Sequence, residues 1–319
     1  MSRYSVYPIN VAGLKTVSIH DRGGKVRTDH FARPYTPGEG ALGLLDSMPR
    51  LLSADSLRGI VEALITARQR KRQIVWGIGG HVIKCGLATV LLRLVKGGWA
   101  TAFAMNGSAA IHDFEIAIAG YTSEDVEAVL PDGRFGMAKE TAEEMNRSIL
   151  QAEADSIGMG EAYGRTLDRI ASPKFCDHSL LLGAYRVYLP VTVHVAMGTD
   201  TPHTHPTASG AAIGAATHHD FRLFSTLVAG LNDGGVYLNV GSAVVMPEVF
   251  LKAVSLVRNL GHPLANFTTV NFDFLQHYRP RVNVVERPHA NSGGQGYSIT
   301  GHHEIMIPLL AALLAECET

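Results

Sequence analysis

Ile74-Val75-Trp76-Gly77-Ile78-Gly79-Gly80-His81 is the stretch on which the fold turns. An uninterrupted apolar run closed by glycines reads as a strand buried on both faces, because neither face has to carry polar groups. Residues 82–95 then repeat apolar side chains at helical spacing, so strand, glycine turn and helix follow one another. Upstream, Ser53-Ala54-Asp55-Ser56 opens an amphipathic helix with Leu57, Ile60, Val61, Leu64 and Ile65 on one face. Downstream, strands are expected at 100–105, 191–197, 236–240, 266–271 and 282–285. Helices are expected at 108–119, across 137–170, and at 208–231, 247–259 and 305–315. Short strands that alternate with longer helices build βαβ units, and right-handed crossovers make these an α/β doubly wound, mainly parallel sheet with helices on both faces.

The first 50 residues are irregular, with one strand expected at 15–20 and then Pro34, Pro37 and Gly38 as punctuation. With no internal repeat or long linker, residues 1–52 read as an N-terminal extension and 53–319 as a single domain. The chain has 319 residues, 46% of them hydrophobic, and a formal net charge of −1. Near-neutral charge argues against nucleic-acid or polybasic membrane partners, which need a concentrated positive field. The basic run Arg68-Gln69-Arg70-Lys71-Arg72 fits a solvated helix C-terminus, where cations meet the negative end of the dipole. Cys85, Cys176 and Cys317 show no metal-knot spacing and no even pairing, as in a reduced chain. No apolar leader or membrane-length stretch stands out, so a cytoplasmic location is expected.

In a sheet of this kind, ligands bind beyond the carboxyl ends of the strands. Gly77, Gly79 and Gly80 precede a helix there, a spacing that serves either a phosphate cradle or a tight βα turn; it is not the GxGxxG of dinucleotide folds. His112-Asp113, after the next strand, suits proton transfer or ribose binding, or a carboxylate that complements a helix start. Between His194 and Asp220 lie Asp200, His203, His205, His218 and His219. His203-Thr204-His205 puts two imidazoles on one side of an extended chain, a spacing able to hold a metal. Cys85 stands near a helix start, where a thiol is either activated by the dipole or simply buried.

From residue 53 to 315 these pieces, in this order, resemble deoxyhypusine synthase. The likeness is carried by IVWGIGGHVIKCGL from Ile74, NGSAAIHD from Asn106, VGSAVVMPE from Val240 and IMIPLLAALLA from Ile305. The resemblance implies a Rossmann-like core, NAD at a subunit interface and a homo-oligomer, dimer or tetramer. It would place NAD near Gly79, Gly80, Asn106, Gly107, Ser108, Asp113, Gly241 and Ser242, and puts Asp200 on the family's TDG aspartate. The family's catalytic lysine lies in an EAVSWGK segment that here reads Ala290-Asn291-Ser292-Gly293-Gly294-Gln295-Gly296-Tyr297-Ser298, and the last lysine in the chain is Lys252. An imine with the transferred aminobutyl group needs an amine nucleophile, so deoxyhypusine synthesis is not expected. The acidic polyamine loop is reduced to Asp273, and the family's histidine pair becomes Pro247-Glu248.

Three functions follow as expectations. The first is an NAD-binding transferase or oxidoreductase acting on a small polar metabolite, a polyamine or amino acid. His112, Glu248 or Asp273 would then handle protons, and Asp200 or Asp113 would orient substrate or ribose. The second is a metal-dependent hydrolase or lyase using His203 and His205, with His218, His219 or Asp220. The third is a non-catalytic nucleotide-binding or scaffold protein on the same fold. The glycine-rich segment 292–296 is expected to border the crevice near Gly79 and Gly241.

Overall fold

The computed structural model describes residues 2–318. Helices α1 (Gly40–Ser47) and α2 (Leu52–Gln69) precede β1 (Ile74–Ile78), and α3 (Gly80–Lys84) and α4 (Ala88–Lys96) lead to β2 (Ala102–Asn106). Between β2 and β3 (Val191–His194) come α5 (Gly107–Ala119), the single turn α6 (Val126–Val129), α7 (Lys139–Asp155), α8 (Met159–Ile170) and α9 (Leu180–Arg186). Helix α10 (Gly210–Ala229) leads to β4 (Val236–Val240), and α11 (Val245–Asn259) to β5 (Thr268–Asp273). The short α12 (Tyr278–Pro280) runs on as a π-helical stretch (Arg281–Glu286) before β6 (Gln295–Thr300), and α13 (His303–Glu316) closes the chain. The strands form one six-stranded sheet in the order β3-β2-β1-β4-β5-β6. Every neighbouring pair is parallel.

β1 sits at the centre because both of its faces are apolar, and all five of its residues are buried. Alternation sends Ile74, Trp76 and Ile78 to one core with Leu57, Ile60, Leu64 and Phe114. Val75 goes to the other, with Phe224, Tyr237 and Phe250. Gly77 shares that second face, where a Cβ would lie 2.4 Å from the Tyr237 hydroxyl. Trp76 is buried without an orphaned polar atom because its indole N–H donates to the Trp99 carbonyl at 2.9 Å.

Four expectations change. The helix over 82–95 is two, parted at Gly86, whose φ of +73° an L side chain rarely adopts. Residues 15–20 form no strand, since no strand of the described chain lies beside them; Val17 and Ile19 are exposed. The β-branched run at 282–285 is helical, with Val284 packed into the second core, so tertiary packing overrides β propensity there. The sixth strand lies at 295–300 and overlaps only the end of the glycine-rich segment. Gly296 is required in it, because a Cβ would fall 2.1 Å from the Val285 carbonyl oxygen. The basic run at the end of α2 stays at the surface: Arg68 stacks over Trp99, and Arg70 and Arg72 pair with Asp233. Among the described residues no helix is long and apolar enough to cross a membrane.

Candidate functional site

The strand order reverses between β1 and β4, so the loops leaving these strands diverge at the carboxyl edge. Two glycine turns meet there. Gly79 donates its N–H to the Val240 carbonyl at 2.9 Å, and a Cβ on Gly79 would fall 1.9 Å from the Gly241 carbonyl oxygen. Gly241 has φ +69°. The buried Ser242 hydroxyl accepts the Met246 N–H in the first turn of α11, and its carbonyl accepts from Asn239. Close backbone approach and helix capping are the roles these residues visibly have.

A second group gathers at the ends of β1, β2 and β3. The Asn106 side chain ends β2 and accepts the Ala109 N–H at 2.9 Å, capping α5. A Cβ on Gly80 would meet the Ser108 hydroxyl at 2.3 Å and the His112 ring at 3.3 Å. On Gly107 it would lie 2.1 Å from Asp200 Oδ2. The starts of α3 and α5 and the loop after β3 thus converge on a cavity of about 220 Å³, bordered by Lys84, Ser108, His112, Glu115, Glu124 and Asp200. Asp200 is buried, its Oδ2 has no protein partner, and burial pushes its carboxyl up to about 6. Burial, and then the nearby Lys84 ammonium, push the His112 imidazole down to about 4, so it is neutral at pH 7. His112 Nδ1 lies 2.7 Å from the Thr122 hydroxyl, which in turn donates to Glu115.

A third group lies at the ends of β5 and β6. Asp273 Oδ1 accepts the Phe274 N–H and sits 4.0 Å from Nε2 of the buried His303. That imidazole lies over Gly241, and its ring centroid is 5.7 Å from that of His81. His302 and His303 went unassigned because β6 did, and a histidine pair just past a strand end was the available signal; His81, which closes the run after β1, was given no role. Thr122 and Glu115 were missed too, although Glu115 stands three residues after His112 on one face of α5.

Several expected residues lie elsewhere or are otherwise engaged. Asp113 is fully buried and turned toward α9, where it accepts from the Ser179 hydroxyl and the Leu180 and Leu181 N–H groups, so both of its oxygens are engaged there. Glu248 pairs with Lys252 and Arg279 and accepts from Asn283. Lys252 first and Arg279 second hold its carboxyl below the usual range, which suits an ion pair rather than a proton carrier near neutrality. His203 Nδ1 takes the Gly198 N–H, whereas His205 Nδ1 meets Thr207. His194 and Asp220 are buried; the Asp220 carboxylate accepts from the Val193 and Gly160 N–H groups. Among the described residues no three His, Cys, Asp or Glu side chains group to hold a metal ion. Cys85 is not activated: burial and Glu304 raise its thiol. The glycine-rich segment is at the opposite edge from the crevice, since Gly293 and Gly294 pack on Asn266 and Phe267 at the start of β5.

No protein-family model matches this chain, and no curated protein matches it either. Solved structures do. A conserved protein assigned to the LOR/SDH group from Methanococcus maripaludis S2 shares 14% identity with a TM-score of 0.51, over 83% of this chain and 70% of that one. Unliganded AgrE shares 17% identity with a TM-score of 0.53, over 82% of this chain and 32% of AgrE. AgrE in a ternary complex with ornithine and NAD+ gives 14% and 0.52, over 82% and 33%. The chain therefore spans about a third of AgrE's length. At these identities the likeness shows a shared fold: the Rossmann-like, doubly wound parallel sheet.

Proposed function

We propose that this chain is an enzyme that binds NAD along the carboxyl edge of β1, β2 and β4 and acts on a small polar metabolite, an amine or amino acid. The observation that carries this reading is the buried, unpartnered Asp200 oxygen beside the neutral imidazole of His112, in a cavity at the strand ends. A buried acceptor without a donor is costly unless a ligand hydroxyl or ammonium supplies one. The fold is shared with AgrE, whose ternary complex holds ornithine and NAD+, which supports the same pairing here. Gly79, Gly80, Gly107, Ser108 and Gly241 would flank the nucleotide, Asn106 and Ser242 would meet it through their backbone only, and Asp200 would accept ribose or substrate hydrogens. Bound NAD would supply a hydride acceptor; His112 would hold or take a proton, and Asp273 with His303 would line the far side. The last lysine is Lys252, and this reading takes the chemistry to be other than deoxyhypusine synthesis. Nothing in the geometry favours the metal-dependent reading over this one.

Calorimetric titration of the purified chain with NAD is expected to show binding in the micromolar range. Absence of heat at millimolar NAD would reject the cofactor reading.

A homo-oligomer, dimer or tetramer, belongs to the same proposal. Residues 2–27 hold Tyr4, Val6, Tyr7, Ile9, Val11 and Leu14 exposed, apolar side chains that a partner subunit would cover. Light scattering is expected to return a multiple of 34.3 kDa, and a variant lacking residues 2–27 a lower mass. A monomeric full-length chain would reject this.

A further inference from the structure

We propose that His112, Thr122 and Glu115 form a proton relay joining the strand-end cavity to an open cleft on the outer side of α5, with Nε2 of His112 taking a proton from an N–H or O–H of the bound metabolite. The inference rests on the enzymatic reading above and assigns to it two residues, Thr122 and Glu115, that position and relay behind His112.

The local chain builds the array. His112 and Glu115 stand three residues apart on α5 and so share one face. Gly120 ends that helix at φ +82°, and the chain turns back so that Thr122 reaches both side chains. Thr122 lies 2.7 Å from His112 Nδ1 and donates to Glu115 Oε2. From α7, the buried Thr141 hydroxyl donates to the other oxygen, Oε1, at 3.2 Å, which fixes the carboxylate.

The donor inventory then sets the direction of every hydrogen. A carboxylate only accepts, so the single hydroxyl hydrogen of Thr122 goes to Glu115. What remains on Thr122 is a lone pair, which must accept from His112, so His112 carries its hydrogen on Nδ1. Nε2 is left with a lone pair, and His112 borders the 220 Å³ cavity. On the outer side, Thr122, Glu115 and Thr141 line a separate cleft of about 560 Å³. Glu115, Ser123 and Glu124 border both spaces, and the relay runs from His112 on the inner one to Thr122 on the outer one.

Charge explains why a relay serves better than a lone base. His112 faces Lys84 from α3, Glu124 from the segment after α5 and Asp200 from the loop after β3, with Glu115 on its own helix. Lys84 and burial oppose an imidazolium. In the relay the ring need not keep the charge: the metabolite's N–H or O–H bond breaks, its electron pair stays on the metabolite, and the proton forms a bond to Nε2. The Nδ1 hydrogen passes to the Thr122 oxygen as the Thr122 hydrogen passes to Glu115, which releases a proton into the outer cleft. One proton enters and one leaves, and no redox partner is involved in the transfer.

The test is nitrogen-15 NMR of the full chain with labelled histidine, His112 being assigned by difference with His112→Asn. At pH 7 the wild type is expected to show protonated Nδ1 and unprotonated Nε2, the tautomer that free histidine favours less. Thr122→Val should shift His112 toward the Nε2–H form, and Thr122→Ser should keep the wild-type signature. An Nε2–H signal in the wild type would overturn the relay, as would an unchanged tautomer in a folded Thr122→Val chain. NAD titration of the same samples separates the two ideas: the relay predicts equal affinity in wild type and Thr122→Val. A wild type that binds no NAD while showing the Nδ1–H tautomer would overturn the cofactor reading alone. On any metabolite that is turned over, Thr122→Val is expected to lower kcat by roughly 100-fold and leave KM near its value, the scale of general acid–base assistance; a change confined to KM would overturn the relay.

Discussion

Replacing Asp113 by alanine is expected to destabilise the fold by about 3–5 kcal/mol, the range for removing one partner of a buried charged hydrogen-bond set. The carboxylate does the work of a cap from outside the helix it serves. Leu180 and Leu181, the first two residues of α9, donate their N–H groups to it at 2.6 and 2.9 Å, and the Ser179 hydroxyl donates at 2.6 Å. Ser179 in turn accepts the Leu182 N–H, so one aspartate and one serine satisfy the start of α9 together. Alanine would leave these donors buried and unpaired. The same contacts argue that Asp113→Asn, where it folds, binds NAD as the wild type does. Its pH dependence gives a second reading. Burial outweighs the three hydrogen bonds and raises the Asp113 carboxyl from 3.8 to about 6. A raised acid favours the folded state fully below 3.8 and loses that contribution as pH climbs through 6. The stability gap between wild type and Asp113→Asn should therefore widen as pH falls from about 6 to about 4, since the other shifted groups are common to both chains. Urea unfolding at the two ends of that window measures it; a gap that narrows toward pH 4 would contradict the assignment.

What the sequence makes legible follows from which interactions are local. The run at Ile74 is decided by its own residues: every side chain is apolar or glycine, so a strand buried on both sides was readable without neighbours. Its partners β2 and β4 carry the same signature, and the doubly wound sheet followed. The errors fall where a distant segment decides. Val282, Val284 and Val285 are β-branched, yet the π-helical stretch is held by packing on α11 and by the Thr269 hydroxyl bonded to the Val284 carbonyl. β6 hid behind glycines that admit the Val285 carbonyl and the turn at Asn266, neither visible in a window of sequence. At the site, residue types and strand-end positions pointed to Gly79, His112, Asp200 and Asp273. Nothing local distinguished Asp113, which points at α9, from His112 one residue earlier, which borders the cavity. One step of 100° around a helix separates a structural cap from a candidate base.

Gly79→Ala carries the other large expectation. A methyl group at Gly79 would sit 1.9 Å from the Gly241 carbonyl oxygen, 2.4 Å from its carbon and 2.9 Å from the Ser242 nitrogen. All three are backbone atoms, so no side chain can swing aside; β1 and β4 must part at the place where the strand order reverses. That separation breaks the Gly79 N–H bond to Val240, and overpacking of this kind costs about 1–3 kcal/mol or more. The proposed nucleotide crevice opens between these same two turns, so NAD affinity is expected to fall at least tenfold alongside the stability. Gly214 supplies the contrast. It lies within α10, where a Cβ would meet nothing within 4 Å, so Gly214→Ala should be neutral or stabilise by up to about 1 kcal/mol through helix propensity. Thermal unfolding and calorimetry of the two variants separate packing from composition. If Gly79→Ala melts as the wild type does, the contact between the two turns is not a constraint on the fold. If it melts lower but binds NAD with wild-type affinity, the nucleotide does not lie across β1 and β4, and the cavity beside His112 must serve its ligand without them.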